Sequence, residues 1–145
     1  FSYLLDESEE KIDILEDISK RLNLLVRKIK LEKNISKIPI SKLKSLTYPS
    51  IQEWLASFAQ ADFVVTDSFH GTVFSIIFDK PFVVLPNKGR GMTRFLSLLK
   101  KIGLEERIVE NSAVCSDIFD VCANNKDTIK KMREKDLELL SEYLQ

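Results

Sequence analysis

The sequence is poor in the residues from which disulfides and metal sites are built. Its 145 residues include two cysteines and one histidine. Cys115 and Cys122 are seven positions apart in a helix-like segment, about 10 Å along a helix axis, which is too far for a disulfide. Their spacing also matches no zinc motif. We therefore expect a reducing compartment, and we expect neither a metal site nor a redox site.

The sequence also lacks an excess of charge of either sign and any long hydrophobic run. Lysine plus arginine and aspartate plus glutamate number 22 each, so overall charge gives no indication of nucleic-acid binding. No apolar run approaches the length of a membrane span, and no signal peptide is visible. These absences predict a cytoplasmic protein with no transmembrane segment. The sequence begins without Met and already in strand-like residues, which suggests a piece of a larger protein.

What the sequence does contain is an alternation of strand-like and helix-like segments. Short runs of strand length occur at 1–5, 24–29, 62–67, 82–85 and 106–110. Segments with helical periodicity stand between them, and two more follow at 113–122 and from 125 to the end. A lysine-rich stretch, either functional or mobile, precedes Pro49 and a Ser50-x-x-Glu53 capping box. The alternation predicts one domain over residues 1–145, with a Rossmann-like parallel sheet covered by helices on both faces.

The stretch "FVVTDSFHGTVFSIIF" at residues 63–78 places the only histidine, His70, between two apolar runs. In a parallel sheet, ligands bind beyond the carboxyl ends of the strands. Ser68 to Gly71 follow such a strand and lead into a helix, which we expect to be buried because it is apolar nearly all round. The N–H groups and positive dipole of its first turn predict an anion site. Gly71 would let a ligand approach the backbone closely.

The next strand, loop and helix should open on the same edge and add positive charge to it. The loop "PNKGRG" carries Lys88 and Arg90, and Arg94 follows one turn into the next helix, which should end at Gly103. Carboxylates and phosphates are the ligands that clustered cations and N–H groups bind. The sequence therefore predicts an anion-binding edge made of an imidazole, a helix N-terminus and three cations.

Purely structural interpretations compete with this site. His70 could be a capped or core residue, Asp67 and Ser68 could serve only to cap the helix, and the glycines beside Arg90 could serve only the turn. Ser68 and His70 do not indicate a serine hydrolase, because there is no G-x-S-x-G elbow and no second histidine. The G-x-G around Arg90 lacks the third glycine of a dinucleotide site.

The stretch "ADFVVTDSFHGTVFSIIFDKPFVVLPNKGRGMTRFLSLLKKIGLEERI" resembles the polysaccharide pyruvyl transferase family. The resemblance lies in a strand ending in T-D-S-F-H-G, then K-P-F, an arginine before a leucine pair, and G-L-x-x-R. "FSYLLD" and "YPSIQEWLASFAQAD" are similar to upstream landmarks of the family, so the resemblance covers most of residues 1–110.

The resemblance implies that the chain is the C-terminal, donor-binding half of a GT-B-like two-domain transferase. Such enzymes transfer pyruvate from phosphoenolpyruvate to a sugar, generally as a cyclic ketal, in making bacterial capsules, exopolysaccharides and wall polymers. The saccharide acceptor would bind mainly to an N-terminal domain absent from this chain, and no cofactor would be needed. The enzyme could associate with the inner face of the membrane through its biosynthetic assembly. We expect the isolated chain to be inactive.

The resemblance also implies roles for individual residues. His70 would be the general acid or would orient the phosphate. Arg94 and Arg90 would clamp the anion, and Arg107, which matches G-L-x-x-R, would form a structural ion pair at the sheet edge. The other substrate contacts would come from Ser68, Lys88 and the backbone N–H groups of His70 and Gly71.

Two other functions fit the same edge. The chain could be the C-terminal half of a nucleotide-sugar glycosyltransferase, although no glutamate for a ribose is identifiable. It could also be a non-catalytic binding domain with the same fold.

Overall fold

The computed structural model describes residues 1–29, 49–87 and 92–110, together with Lys130 and Glu134, which are helical. Several expectations fall outside these residues: the lysine-rich stretch up to residue 48, Lys88 and Arg90, both cysteines, and the two segments after residue 111. The elements in chain order are β1 (Ser2–Tyr3), α1 (Glu9–Leu22), α2 (Ile51–Ala59), β2 (Val64–Thr66), α3 (Phe69–Ile77), β3 (Phe82–Val84), α4 (Met92–Ile102) and a 3₁₀ turn at Glu105–Arg107.

The three strands form an open parallel sheet in the order β1-β2-β3. Val65 pairs with Ser2 on one side and with Val83 on the other. Single parallel bridges extend the sheet at both margins, where Lys28 pairs with Ser2 and Ile108 with Val84. The chain therefore moves outward in opposite directions from the boundary between β1 and β2. That boundary is the switch point of a doubly wound sheet.

The sheet has an apolar core on each face, which confirms the mixed α/β prediction with helices on both sides. Val65 and Val83 pack with Ile14, Leu15 and Ile18 of α1 on one face. The opposite face combines side chains of β2 and β3 with others from α2 and α4: Val64, Phe82, Val84, Phe58, Phe95, Leu99 and Ile102. Alternate strand residues thus point to opposite faces, and both faces are apolar because both are covered.

The helix ends follow local sequence signals. Ser50 and Glu53 form the predicted capping box at the start of α2. Ser8 caps α1 by accepting a hydrogen bond from the backbone N–H of Lys11. Gly103, the predicted end of α4, has a φ of 66°, a left-handed conformation that glycine adopts at little cost. Among the helices in the described ranges, none has the length and apolar character needed to cross a membrane.

Two predicted strands are wrong in extent. In the 24–29 segment only Lys28 makes a bridge, and the side chain of Leu25 is 99% exposed. The apolar run therefore buries too little to form a full strand beside β1. In the 106–110 segment a 3₁₀ turn extends through Arg107, and only Ile108 bridges to β3.

Helix α3 also differs from the expectation of a helix buried all round. Its buried residues are Gly71, Thr72 and Ser75, whereas Ile77 is exposed. The large apolar side chains of α3 are only partly buried at the flanks of the second core. The reason is close packing, because α3 lies so near the sheet that only small residues fit between the two.

Candidate functional site

Polar residues follow each of the three strands at the carboxyl edge of the sheet. Asp6 follows β1, Asp67 and Ser68 follow β2, and Asn87 follows β3. The switch point between β1 and β2 lies at this edge, where doubly wound sheets bind ligands. The edge is therefore the first place to look for a functional site.

Asp67 is the centre of a buried polar cluster at this edge. Its Oδ1 accepts the backbone N–H of Leu5 at 2.6 Å. Its Oδ2 accepts the backbone N–H of Asp6 at 3.1 Å, the ammonium of Lys11 at 2.6 Å and the amide Nδ2 of Asn87 at 3.2 Å. The side chain is fully buried, so its charge is compensated inside the protein. Asp67 thus holds the loops after β1 and β3 in place.

Ser68 caps α3, as the sequence predicts. Its Oγ accepts the backbone N–H of Gly71 at 3.4 Å, and its carbonyl accepts the hydroxyl of Thr72 at 3.2 Å. Its own N–H donates to Oγ1 of Thr66 at 3.1 Å. These contacts are internal and Ser68 is 3% exposed. They direct the first turn of α3 toward the edge, and a contact between Ser68 and a substrate stays a prediction.

Gly71 has a structural reason to be glycine. A Cβ atom at this position would lie 2.2 Å from Oγ1 of Thr66, in the neighbouring strand. The absence of a side chain therefore lets α3 pack closely on β2. Close approach of a ligand to the Gly71 backbone is a separate prediction, and the buried Gly71 N–H already donates to Ser68.

His70 is exposed in the first turn of α3. Within the described part of the chain its imidazole has no hydrogen-bond partner, and its one ring contact is with Phe69, at 6.3 Å between centroids. A core histidine would be buried, so that structural interpretation is wrong. The imidazole is accessible to a substrate at the carboxyl edge.

Arg94 is exposed in the first turn of α4, and its guanidinium carbon lies over the ring of Phe69, 5.4 Å from the centroid. His70 and Arg94 therefore contact the same ring. Their helices, α3 and α4, follow the neighbouring strands β2 and β3; joint contact of the two side chains with a substrate stays a prediction. Lys88 and Arg90 lie between β3 and α4, outside the described residues.

Most of this edge lies in a segment that matches a known family. The family described as polysaccharide pyruvyl transferase matches residues 1–89, more than half of the chain. The match includes all three strands, the buried Asp67 cluster and His70. The chain belongs to the polysaccharide pyruvyl transferase family. Comparisons with curated proteins and with solved structures gave no match.

Arg107 of this pyruvyl transferase family member has a structural environment. It is 2% exposed, its Nη1 donates to the carbonyl of Phe82 at 3.2 Å, and its guanidinium lies over the Phe82 ring at 5.3 Å. These contacts connect the 3₁₀ turn to β3. They agree with a structural role, and the ion pair of Arg107 stays a prediction.

Sequence reasoning missed two features of the pyruvyl transferase edge. One is the cluster around Asp67, which the sequence suggested only as a helix cap. The available signal was that Asp6, Asp67 and Asn87 each follow a strand. The other is Phe69, which looked like an ordinary apolar residue of α3. No local pattern predicts its contact with Arg94, because the two residues are 25 positions apart.

Proposed function

We propose that this chain binds phosphoenolpyruvate and, as part of a complete transferase, transfers its pyruvate to a pair of sugar hydroxyls. The product is a cyclic ketal on a bacterial capsular polysaccharide or exopolysaccharide. Membership of the pyruvyl transferase family supports the reaction class. The observation that carries the proposal is that the exposed imidazole of His70 and the guanidinium of Arg94 both contact the ring of Phe69 at the carboxyl edge.

The donor carries a carboxylate and a phosphate, and this edge offers complementary groups. The first turns of α3 and α4 carry the positive ends of two helix dipoles, and the backbone N–H of His70 would contact the donor, whereas that of Gly71 already donates to Ser68. Arg94 adds a planar cation suited to bidentate contact with either anion. Lys88 and Arg90, which lie between β3 and α4 in the sequence, would complete the clamp. No cofactor is required, because phosphoenolpyruvate itself supplies the leaving group.

His70 is the proposed proton donor. Protonation of the methylene carbon of phosphoenolpyruvate makes C2 electrophilic, and the first sugar hydroxyl adds there and loses its proton. The bond between C2 and the phosphate oxygen then breaks, and the second hydroxyl attacks C2 and closes the ketal ring. The two sugar hydroxyls lose one proton each. One of these protons passes through the acid and ends in the new methyl group, and the other leaves with the phosphate. An imidazole can donate and then recover a proton near neutral pH.

The proposal includes a GT-B-like arrangement in a cytoplasmic enzyme. The sugar acceptor would bind to a domain preceding this one in the complete protein, and the cleft between the domains would exclude water during transfer. The two competing functions are a glycosyltransferase half-domain, which would bind a nucleotide sugar, and a non-catalytic binding domain.

Thermal unfolding with three ligands tests the proposal. A ligand at 100 times its Kd stabilises the folded state by about 2.7 kcal/mol. We expect phosphoenolpyruvate to raise the Tm more than inorganic phosphate does, and UDP-sugars to leave it unchanged. The complete transferase should then release phosphate from phosphoenolpyruvate only when an acceptor is present. Stabilisation by a UDP-sugar alone would favour the glycosyltransferase, and donor binding without phosphate release would favour the binding domain.

A further inference from the structure

We propose that Phe69 is a positioning residue whose ring holds the Arg94 guanidinium where it meets the donor anion. The inference rests on the function proposed above and adds a determinant of donor binding. The observation behind it is that the ring of Phe69, in the first turn of α3, contacts Arg94 in the first turn of α4.

The ring of Phe69 has a fixed support beneath it. Phe69 is half-buried, and its ring makes an edge contact with Phe95 at 5.8 Å between centroids and an interplanar angle of 76°. Phe95 is 1% exposed and belongs to the core on that face of the sheet. Because cores are closely packed, Phe95 restricts the positions open to Phe69.

The second residue of this contact is Arg94, whose long side chain has many possible conformations. Arg94 precedes Phe95 in α4, and its guanidinium carbon lies 5.4 Å from the Phe69 centroid. A guanidinium that stacks on an aromatic ring makes that contact through its own face. Its N–H donors lie in the guanidinium plane, where they can bind a carboxylate or phosphate. The ring therefore lowers the conformational entropy that Arg94 loses when it binds an anion.

Phe69 also contacts the proposed acid. The His70 imidazole meets the same ring at 6.3 Å, with an interplanar angle of 78°. One ring thus links the proton donor on α3 to the cation on α4. The aromatic character of Phe69 matters for the cation, because an aliphatic side chain could fill the space beside Phe95 but has no negative π-face.

The test measures phosphoenolpyruvate kinetics of the complete transferase. Phe69→Leu should raise the KM for phosphoenolpyruvate about three- to tenfold with kcat within about twofold of wild type. Phe69→Tyr, which keeps the ring, should restore the wild-type KM. In an Arg94→Met background, Phe69→Leu should raise the KM no further, because the cation that the ring holds is gone.

Phe74→Leu is the matched control. Phe74 is also half-buried on α3 and contacts the Trp54 ring at 4.9 Å, and none of its described ring contacts involves Arg94. This substitution should leave the KM unchanged. An unchanged KM in Phe69→Leu, an equal rise in the Arg94→Met background, or an equal rise in Phe74→Leu would each overturn the inference alone. If the wild-type enzyme does not use phosphoenolpyruvate, the proposed function fails and the inference fails with it.

Discussion

Exposure separates the roles of the charged and titratable residues that follow β2. Asp67 is fully buried and accepts hydrogen bonds from four donors, which makes it part of the framework. His70, three positions later, is exposed, and among the described residues its one ring contact is with Phe69. The turn between strand and helix therefore brings a structural carboxylate and an accessible imidazole close together in sequence. Reactivity is expected of the exposed one.

Replacing His70 by Asn in the complete transferase should lower kcat about 10²- to 10⁴-fold, the usual contribution of general acid–base catalysis. The KM for phosphoenolpyruvate should change far less, because a proton donor acts mainly in the transition state. Steady-state kinetics at saturating acceptor measure both effects. Since His70 is exposed, the Tm of the variant should stay near that of wild type. Unchanged turnover would remove His70 from the mechanism.

At the scale of elements, helix ends were easier to predict than strands or burial. The Ser50–Glu53 capping box and the Gly103 stop are determined by residues adjacent in sequence, so local patterns sufficed. The apolar run around Leu25 failed as a strand because strand formation depends on pairing and burial supplied by distant segments. The site edge was predictable from the order of elements.

Two further features could not be predicted from the sequence, because they too depend on how distant segments pack. The buried face of α3 consists of small residues because that helix packs closely on β2, and this distance is a tertiary property. The contact between Phe69 and Arg94 likewise depends on how two helices lie side by side. A sequence pattern shows which residues share an element, but not how near the next element comes.

The close packing of α3 on β2 predicts the effect of Gly71→Ala. Its new Cβ would lie 2.2 Å from Oγ1 of Thr66, and overpacking of this kind costs about 1–3 kcal/mol. Urea denaturation of wild type, both single variants and the double variant Thr66→Ala/Gly71→Ala measures it. Gly71→Ala should cost less in the Thr66→Ala background, where the obstructing hydroxyl is absent. Equal costs in both backgrounds would contradict a steric origin.

The start of α2 predicts a contribution to stability that depends on pH. Glu53 accepts hydrogen bonds from the backbone N–H and hydroxyl of Ser50 at 2.7 and 3.0 Å. Chiefly the backbone hydrogen bond, and then the hydroxyl, lower the pKa of Glu53 below its ordinary value of 4.5. A depressed pKa contributes stability that is fully present above 4.5 and is lost as the pH falls through the lowered value.

Glu53→Gln should therefore lose less stability on acidification than wild type does. Glutamine retains the geometry of the capping box but does not titrate. The measurement is the free energy of unfolding between about pH 6 and pH 3, with the difference between the two proteins isolating this one group. Parallel profiles would show that the capping hydrogen bonds do not favour the ionised carboxylate.

At the scale of the whole molecule, the Asp67 cluster joins segments that are far apart in the chain. Asp67 binds the backbone of Leu5 and Asp6 and the ammonium of Lys11, more than 50 positions away. Asn87 reaches Oδ2 of Asp6 at 2.9 Å and Asp67 at 3.2 Å. One buried carboxylate thus fixes the relative positions of the loops after β1, β2 and β3. The candidate site begins beside these loops.

This connection predicts that Asp67→Asn destabilises the chain by about 3–5 kcal/mol, the usual cost of removing one partner from a buried ion pair. The substitution leaves the Lys11 ammonium, whose side chain is 12% exposed, without its carboxylate. Lys11→Met should also destabilise, because Asp67 loses the ammonium that compensates its charge. The double variant should be more stable than the sum of the single effects implies, since neither member of the pair is then left charged without the other.

The ion pair of Arg21 and Asp17 on α1 is the matched control. The Nε of Arg21 lies 2.8 Å from Oδ2 of Asp17, and the side chains are 43% and 33% exposed. Arg21→Met should cost about 0.3–0.5 kcal/mol, as helical surface pairs do. Urea denaturation of all four variants at one pH compares the two sites. We expect Asp67→Asn to cost more than Arg21→Met because water screens the Arg21 pair, whereas the protein alone must compensate the buried charge of Asp67. If Asp67→Asn costs no more than Arg21→Met, the cluster does not hold the sheet edge together.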